Sequence, residues 1–172
     1  MLTQAQQKYL LTIPKEKTVT IYPFTKELEQ AADELIATVQ RAVPDLTVQH
    51  LGASALGLSG QGDLDIYTFC DPAAFNVYLP RLIETFGEPE KRGKTSIKWA
   101  FEKNGFPVEL YLTDPSSDAM QEQIKTFELL RDNEQLRSEY EALKEKMNGR
   151  PFRQYQVAKY EFYNRLLRHD LT

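Results

Sequence analysis

Residues 50–66 read His50-Leu51-Gly52-Ala53-Ser54-Ala55-Leu56-Gly57-Leu58-Ser59-Gly60-Gln61-Gly62-Asp63-Leu64-Asp65-Ile66. A strand ending in His50-Leu51 runs into a glycine turn. The next ten residues are rich in glycine, serine and alanine, and cannot form a long regular element. Asp63 to Phe69 then alternates as a strand does. Leu64, Ile66 and Thr68 share one face, and Asp63, Asp65 and Tyr67 share the other, because successive side chains point to opposite sides. Two carboxylates on one face beside a glycine turn can hold magnesium ions that also bind a nucleoside triphosphate. Exposed N–H groups at Gly52, Ala53 and Ser54, with the Ser54 hydroxyl, can cradle phosphate oxygens. The blander alternative has Asp63 as a turn residue after Gly62 and both aspartates at a solvated strand start. His50 is expected to be an oriented structural histidine near the strand end.

Upstream, Leu46 to Leu51 is expected as a strand, and Lys17 to Tyr22 (KTVTIY) alternates with β-branched residues, which predicts another. Between them Thr25 is a helix N-cap, Leu28, Ala32, Leu35 and Val39 follow at helical spacing, and Pro44 closes the helix. Residues 1–14 are polar apart from Tyr9-Leu10-Leu11, and Pro14 stops any helix there.

Downstream, Asp71-Pro72 opens a helix over residues 73–86. Residues 95–102 and 107–112 both alternate, with Asn104-Gly105 between them, a strong hairpin signal because both residues tolerate positive φ. A two-residue loop pairs Lys103 with Phe106, Ala100 with Glu109 and Lys98 with Tyr111. Ile97, Trp99, Phe101, Val108, Leu110 and Leu112 then form the core face. Glu109 falls on the opposite face, where a third carboxylate would complete a two-metal site, or where it could simply pair with a lysine. Lys98 lies beside it, able to reach a triphosphate or to balance Glu109.

From Asp118 the chain is helical. Asp132 and Gln135 look like a capping box, and Leu136, Tyr140, Leu143 and Met147 form an apolar stripe. A last helix runs through Tyr155, Lys159, Phe162 and Leu166. Arg131, Lys144 and Lys159 are expected as helix-face charges unless they project towards the cleft, and Tyr140, Tyr155 and Tyr160 as packing residues. The pattern predicts a mixed α+β sheet with flanking helices over residues 1–116, and a C-terminal helical segment over 117–172 packed on it.

Composition narrows the chemistry. With 172 residues, 41% hydrophobic and 27% charged, the chain can bury a real core. One cysteine and two histidines leave no disulfide within the chain and no multi-histidine or cysteine metal centre. A net charge of -4 argues against a general nucleic-acid binder. No signal-like segment or membrane-length apolar run is visible, so a cytoplasmic protein is expected. Oligomeric state is not legible.

The turn and the Asp63-Leu64-Asp65-Ile66 strand resemble the pattern of the polymerase-β-type nucleotidyltransferase superfamily: hydrophobic-Gly-(Gly or Ser), Asp-hydrophobic-(Asp or Glu)-hydrophobic, and a later acidic residue between hydrophobics. Within that superfamily the chain is similar to the GrpB family. The family's His-Ile-Gly-Ser-Thr, Pro-Gly-Leu and Lys-Pro-x-Ile-Asp-Ile correspond to His50-Leu51-Gly52-Ala53-Ser54, to Gly57-Leu58 and to the run from Gln61 to Ile66. Leu130-Arg131-Asp132-Asn133, Glu139-Tyr140-Glu141-Ala142-Leu143-Lys144 and Tyr155-Gln156-Val157-Ala158-Lys159 resemble its C-terminal segments. The departures are Ala53 in place of Gly or Ser, Gln61-Gly62 in place of Lys-Pro, and Asp63 where the family carries an apolar residue. The resemblance implies transfer of a nucleotidyl group from a nucleoside triphosphate to a small acceptor, with Mg²⁺ or Mn²⁺ on Asp63, Asp65 and Glu109. The alternative is a domain that binds a nucleotide or a protein without turnover.

Overall fold

Asn104 and Gly105 take φ of 53° and 83°, the left-handed pair that a tight two-residue hairpin needs. They join β4 (Ser96–Lys103) to β5 (Phe106–Thr113) in the expected register, with Lys103 opposite Phe106, Ala100 opposite Glu109 and Lys98 opposite Tyr111. A computed structural model describes residues 2–169. The hairpin is the centre of a five-stranded mixed sheet of order β1-β2-β5-β4-β3. Its other strands are β1 (Thr47–Leu51), β2 (Leu64–Phe69) and β3 (Lys91–Arg92). β2 runs antiparallel to β1 and parallel to β5, which sets Asp65 directly beside both Leu51 and Glu109.

One face of the sheet carries Leu64, Ile66, Ile97, Trp99, Val108, Leu110 and Leu112, all buried. Against it pack α2 (Lys26–Ala42), through Leu28, Ala32, Leu35 and Val39, and α4 (Phe75–Phe86), through Phe75, Leu79 and Leu82. The α2 start is as expected: the Thr25 hydroxyl accepts from the Leu28 N–H. A single 3₁₀ turn, Pro72–Ala74, precedes α4. The other face is crossed by α5 (Asp118–Asp132) and α7 (Phe152–His169), with α6 (Glu134–Met147) packed on both. A four-residue helix, α3 (Gly52–Ala55), follows β1, and α1 (Gln4–Thr12) packs on α7. Among the described residues no helix is long and apolar enough to cross a membrane.

Two local expectations are corrected. Lys17 to Tyr22 is no sheet strand. It is an extended strap whose hydrogen bonds go to loops, at Arg150, Phe152 and Gly60, with single bridges Thr18–Pro151 and Tyr22–Gly60. Alternation shows an extended segment with one buried side, and Val19 is buried, but it does not name the partner. The α6 cap is Asn133, whose side chain accepts from the Leu136 N–H, while Asp132 is held by Arg131. Pro14 does follow the end of a helix: α1 stops at Thr12 and begins with a Thr3–Gln6 capping box.

Candidate active site

The polar face of β2 and β5 follows from their register. Asp65 and Glu109 are direct neighbours on parallel strands, and Tyr67 and Tyr111 stack two residues further on, with ring centroids 4.7 Å apart. Leu51, Tyr67 and Met120 bury the base of this face. Asp63 stands one residue before β2. The β1–α3 turn lies against Asp65: Gly52 has φ of 84°, and a Cβ built there would meet Asp65 Oδ2 at 2.6 Å. Glycine is therefore required at position 52 both for its backbone and for the space the carboxylate fills.

Above this face lies a cavity of about 430 Å³, within the range of small-molecule sites. Gly52, Asp65 and Tyr111 form its floor, and Gln123 and Tyr140 lie on its wall. The α7 side is unusual. Gln156, Lys159, Tyr160, Tyr163, Asn164 and Leu167 all line the cavity. Their spacing, i, i+3, i+4, i+7, i+8 and i+11, is that of the stripe a helix normally buries in apolar contact. Here most of those positions carry hydrogen-bonding groups, so this stripe faces a space rather than a core. Phe152, Tyr155, Phe162 and Leu166 of the same helix do the apolar packing.

Burial is the main influence on the two aspartates. It raises Asp65 from the ordinary carboxylate range to about 7, with the charges of Asp63 and Glu109 adding and Lys159 and Lys98 opposing. It raises Asp63 as well, with Lys159 again opposing. For Glu109 burial acts upward too, but Lys98 and Tyr111 outweigh it and hold the group below its usual range. Lys98 Nζ donates to Oε1 at 2.5 Å and Tyr111 Oη to Oε2 at 2.6 Å, and Lys98 also pairs with Glu90 at 3.3 Å. The oxygens of Tyr140 and Tyr163 hold the Lys159 ammonium well above its usual range, and Tyr155 and Asp65 add to this against the cost of burial.

The turn is braced from beneath. Ser54 Oγ donates its one proton to the Asp63 carbonyl at 3.0 Å, so the His50 Nε2, 2.9 Å from that oxygen, is the donor to it. Burial pushes the His50 imidazole down to about 4, so the ring is neutral. Ser54 is buried and spent on Asp63, while Ala53 packs with the α5–α7 core and against Gly60.

The expected residues thus divide. Asp63, Asp65 and Glu109 share one electrostatic neighbourhood with Gly52 against Asp65, whereas Lys98 is engaged by Glu109 and Glu90. Among the described residues no group of three or more His, Cys, Asp or Glu side chains stands close enough to hold a metal ion, and Glu109 is taken up by Lys98 and Tyr111. Sequence reasoning read Lys159 and Lys144 as helix-face charges unless they project towards the cleft, and neither is a solvated face charge. Lys159 is a cavity cation. Lys144 is 1% exposed, donates to the Ser59 carbonyl and lies 4.4 Å from the Tyr140 ring centroid, which locks α6 onto the loop leading to Asp63. The signal available was position: both are lysines at spacings that align them with buried tyrosines.

Residues 18–169 match the family model described as GrpB protein. No curated protein matches the chain. Among solved structures it is similar to one titled for the structural plasticity of Cid1 and its RNA terminal uridylyl transferase activity, at 17% identity and a TM-score of 0.49, over 77% of this chain and 42% of that one. It is also similar to a Cid1 poly(U) polymerase structure with Mg 3'-dATP bound, at 18% identity and a TM-score of 0.47, over 81% of this chain and 45% of that one. The chain spans less than half the length of these structures.

Proposed function

The chain belongs to the GrpB family, and from its cavity we propose that it is a nucleotidyltransferase taking a nucleoside triphosphate and a small acceptor, in the cytoplasm. The observation that carries this is Asp65 on the floor of a nucleotide-sized cavity, against the Gly52 turn and across from Lys159, with Asp63 just ahead of it at the start of the same strand. Carboxylates pushed up by burial and by each other are destabilised as anions, and a divalent cation relieves that. Their oxygens suit Mg²⁺ or Mn²⁺. Asp63 and Asp65 would hold the ion, joined by Glu109 once it leaves Lys98. When bound, the ion would offset the charge of the triphosphate and of the departing pyrophosphate.

The chain's own residues do the rest. Gly52 lets the backbone and Asp65 approach each other. His50 and Ser54 fix the carbonyl of Asp63 and so the aim of its side chain. Lys159 brings positive charge to the phosphates, with Lys98 as a second cation if Glu109 turns to the metal. In the transfer, an acceptor hydroxyl oxygen bonds to the α-phosphorus while the bond to the β-bridging oxygen breaks. Pyrophosphate leaves with that electron pair, and the hydroxyl proton passes to water. Acceleration comes from positioning and charge offset.

A second reading, binding without turnover, is favoured by one observation: Glu109 is already satisfied by Lys98 and Tyr111. One experiment separates the two. The protein is incubated with α-labelled triphosphates, Mn²⁺, a panel of amino-alcohol and sugar acceptors, and a short RNA. Pyrophosphate released in step with label on a small acceptor is the expected result. Triphosphate binding without pyrophosphate selects the binding module, label on the RNA overturns the small acceptor, and no binding overturns both readings.

A further inference from the structure

The cavity is closed at its far end by α1, whose residues precede the stretch shared with the family. Gln6 and Tyr9 of this helix line it. No side chain of α1 is fully buried, and its apolar packing is confined to Leu10 at the C-terminal end, against the Phe152–Tyr155 cluster. Its other anchors are polar and local. Gln6 Nε2 donates to Asn164 Oδ1 at 3.0 Å, and Asn164 Nδ2 donates back to Gln6 Oε1 at 2.9 Å. Tyr9 meets Tyr160 edge-on, with centroids 6.4 Å apart. Just beyond the helix Ile13 is buried, and Arg153 Nε donates to its carbonyl at 2.7 Å, which fixes one end. A solvated helix held across a cavity by a reciprocal carboxamide pair is a wall whose contacts a ligand can take over.

We propose that α1 is the base-reading wall of this cavity, with Gln6 and Tyr9 recognising the nucleobase of the bound nucleotide. The inference rests on the reading that the cavity takes a nucleoside triphosphate. The charged groups sit at the Asp65 and Lys159 end. Around α1 the lining is Gln6, Tyr9, Tyr160, Asn164 and Leu167, which offers amides, phenols and an alkyl group but no cation to hold phosphate. Lys159 and Asn164 are five residues apart on α7, about 7.5 Å along the axis, so a nucleotide with its phosphates at Lys159 brings its base towards Gln6. A carboxamide carries a donor and an acceptor side by side, the arrangement that reads a base edge bidentately. Tyr9 and Tyr160 offer ring faces on which a base can stack.

Calorimetric titration of the full chain tests this with two probes. One is the set adenosine, guanosine, cytidine and uridine, which lack phosphate. The other is inorganic tripolyphosphate with Mn²⁺, which lacks a base. The wild type is expected to bind at least one nucleoside in preference to the rest. Gln6→Leu should weaken that binding by about tenfold, the worth of one good hydrogen bond, and level the preference. Tyr9→Ala should weaken it as well, and both variants should bind tripolyphosphate as the wild type does. Asp65→Asn should do the reverse. Tyr9→Ala should melt with the wild type, and Gln6→Leu slightly below it, since Leu gives up the capping box and the Asn164 pair. Unchanged nucleoside binding in the two variants, or equal loss of tripolyphosphate, overturns the proposal. A wild type that binds tripolyphosphate but no nucleoside also overturns it and leaves the proposed function standing. A wild type that binds neither overturns both.

Discussion

The two faces of the sheet are made by the same strands, yet they answer to different physics. On the α2–α4 face nearly every inward residue is apolar, from Leu64 to Trp99, and buried Thr68 donates to the Tyr111 carbonyl. On the α5–α7 face Asp65 and Tyr111 look onto Lys159 and a stripe of amides and phenols, and Glu109 pairs with Lys98 and Tyr111. The first face lowers free energy by removing apolar area from water. The second spends some of that gain, since buried charge is costly unless it is paired. A face that carries such a cost without apolar compensation is where a functional site is to be sought.

Replacing a residue on each face should break the comparison in opposite ways. Trp99→Ala removes a side chain 1% exposed that donates to the Gly87 carbonyl at 2.8 Å. It should cost about 3–5 kcal/mol in denaturant unfolding. The metal-induced rise in melting temperature should survive wherever the variant is folded, and loss of that rise alone would mean the two faces are not separable.

His50 pairs with Ile66 and so stands on the α2–α4 side of the sheet, and its effect depends on pH. The folded pKa, about 4, lies below the unfolded value near 6.5. The unfolded chain therefore takes up the proton first, so this group's contribution is complete above pH 6.5 and is lost as pH falls towards 4. The shift sets an upper bound of about 3 kcal/mol, reduced by solvent at the half-buried ring. His50→Gln should flatten the stability profile between those pH values. A profile that falls as steeply as the wild type's would remove the neutral, braced histidine from the account.

The smallest effect on the metal-free fold is expected at Asp65. Asp65→Asn deletes one charge from a group of mutually repelling carboxylates, so the apo protein should be as stable or slightly more so. The same variant should lose most of the melting-temperature rise produced by Mn²⁺ with a triphosphate, because that rise comes from binding to the native state. If the variant unfolds instead, Asp65 is structural and the polar face holds no metal.

Much of this was legible in the chain alone. Alternation and the Asn104-Gly105 turn set the hairpin, its register and the division of the sheet into two faces, because strand periodicity and positive φ are local properties of sequence. That Asp65 and Glu109 lie on the polar sides of their strands followed from the same logic, whereas the parallel pairing that sets them side by side did not. What only the tertiary structure decided lies in groups brought together from far apart. Lys159 is 94 residues from Asp65 in the chain, and helical spacing alone could not tell whether its stripe faces a core, a cavity or water. The Lys17–Tyr22 strap shows the same limit, since alternation marks an extended segment but its hydrogen-bond partners are loops chosen by packing. Lys144, buried against Tyr140 and the Ser59 carbonyl, is the sharpest case. A lysine on a polar-looking helix is read as solvated, and only the loop folded over it supplies the acceptor that makes its burial affordable.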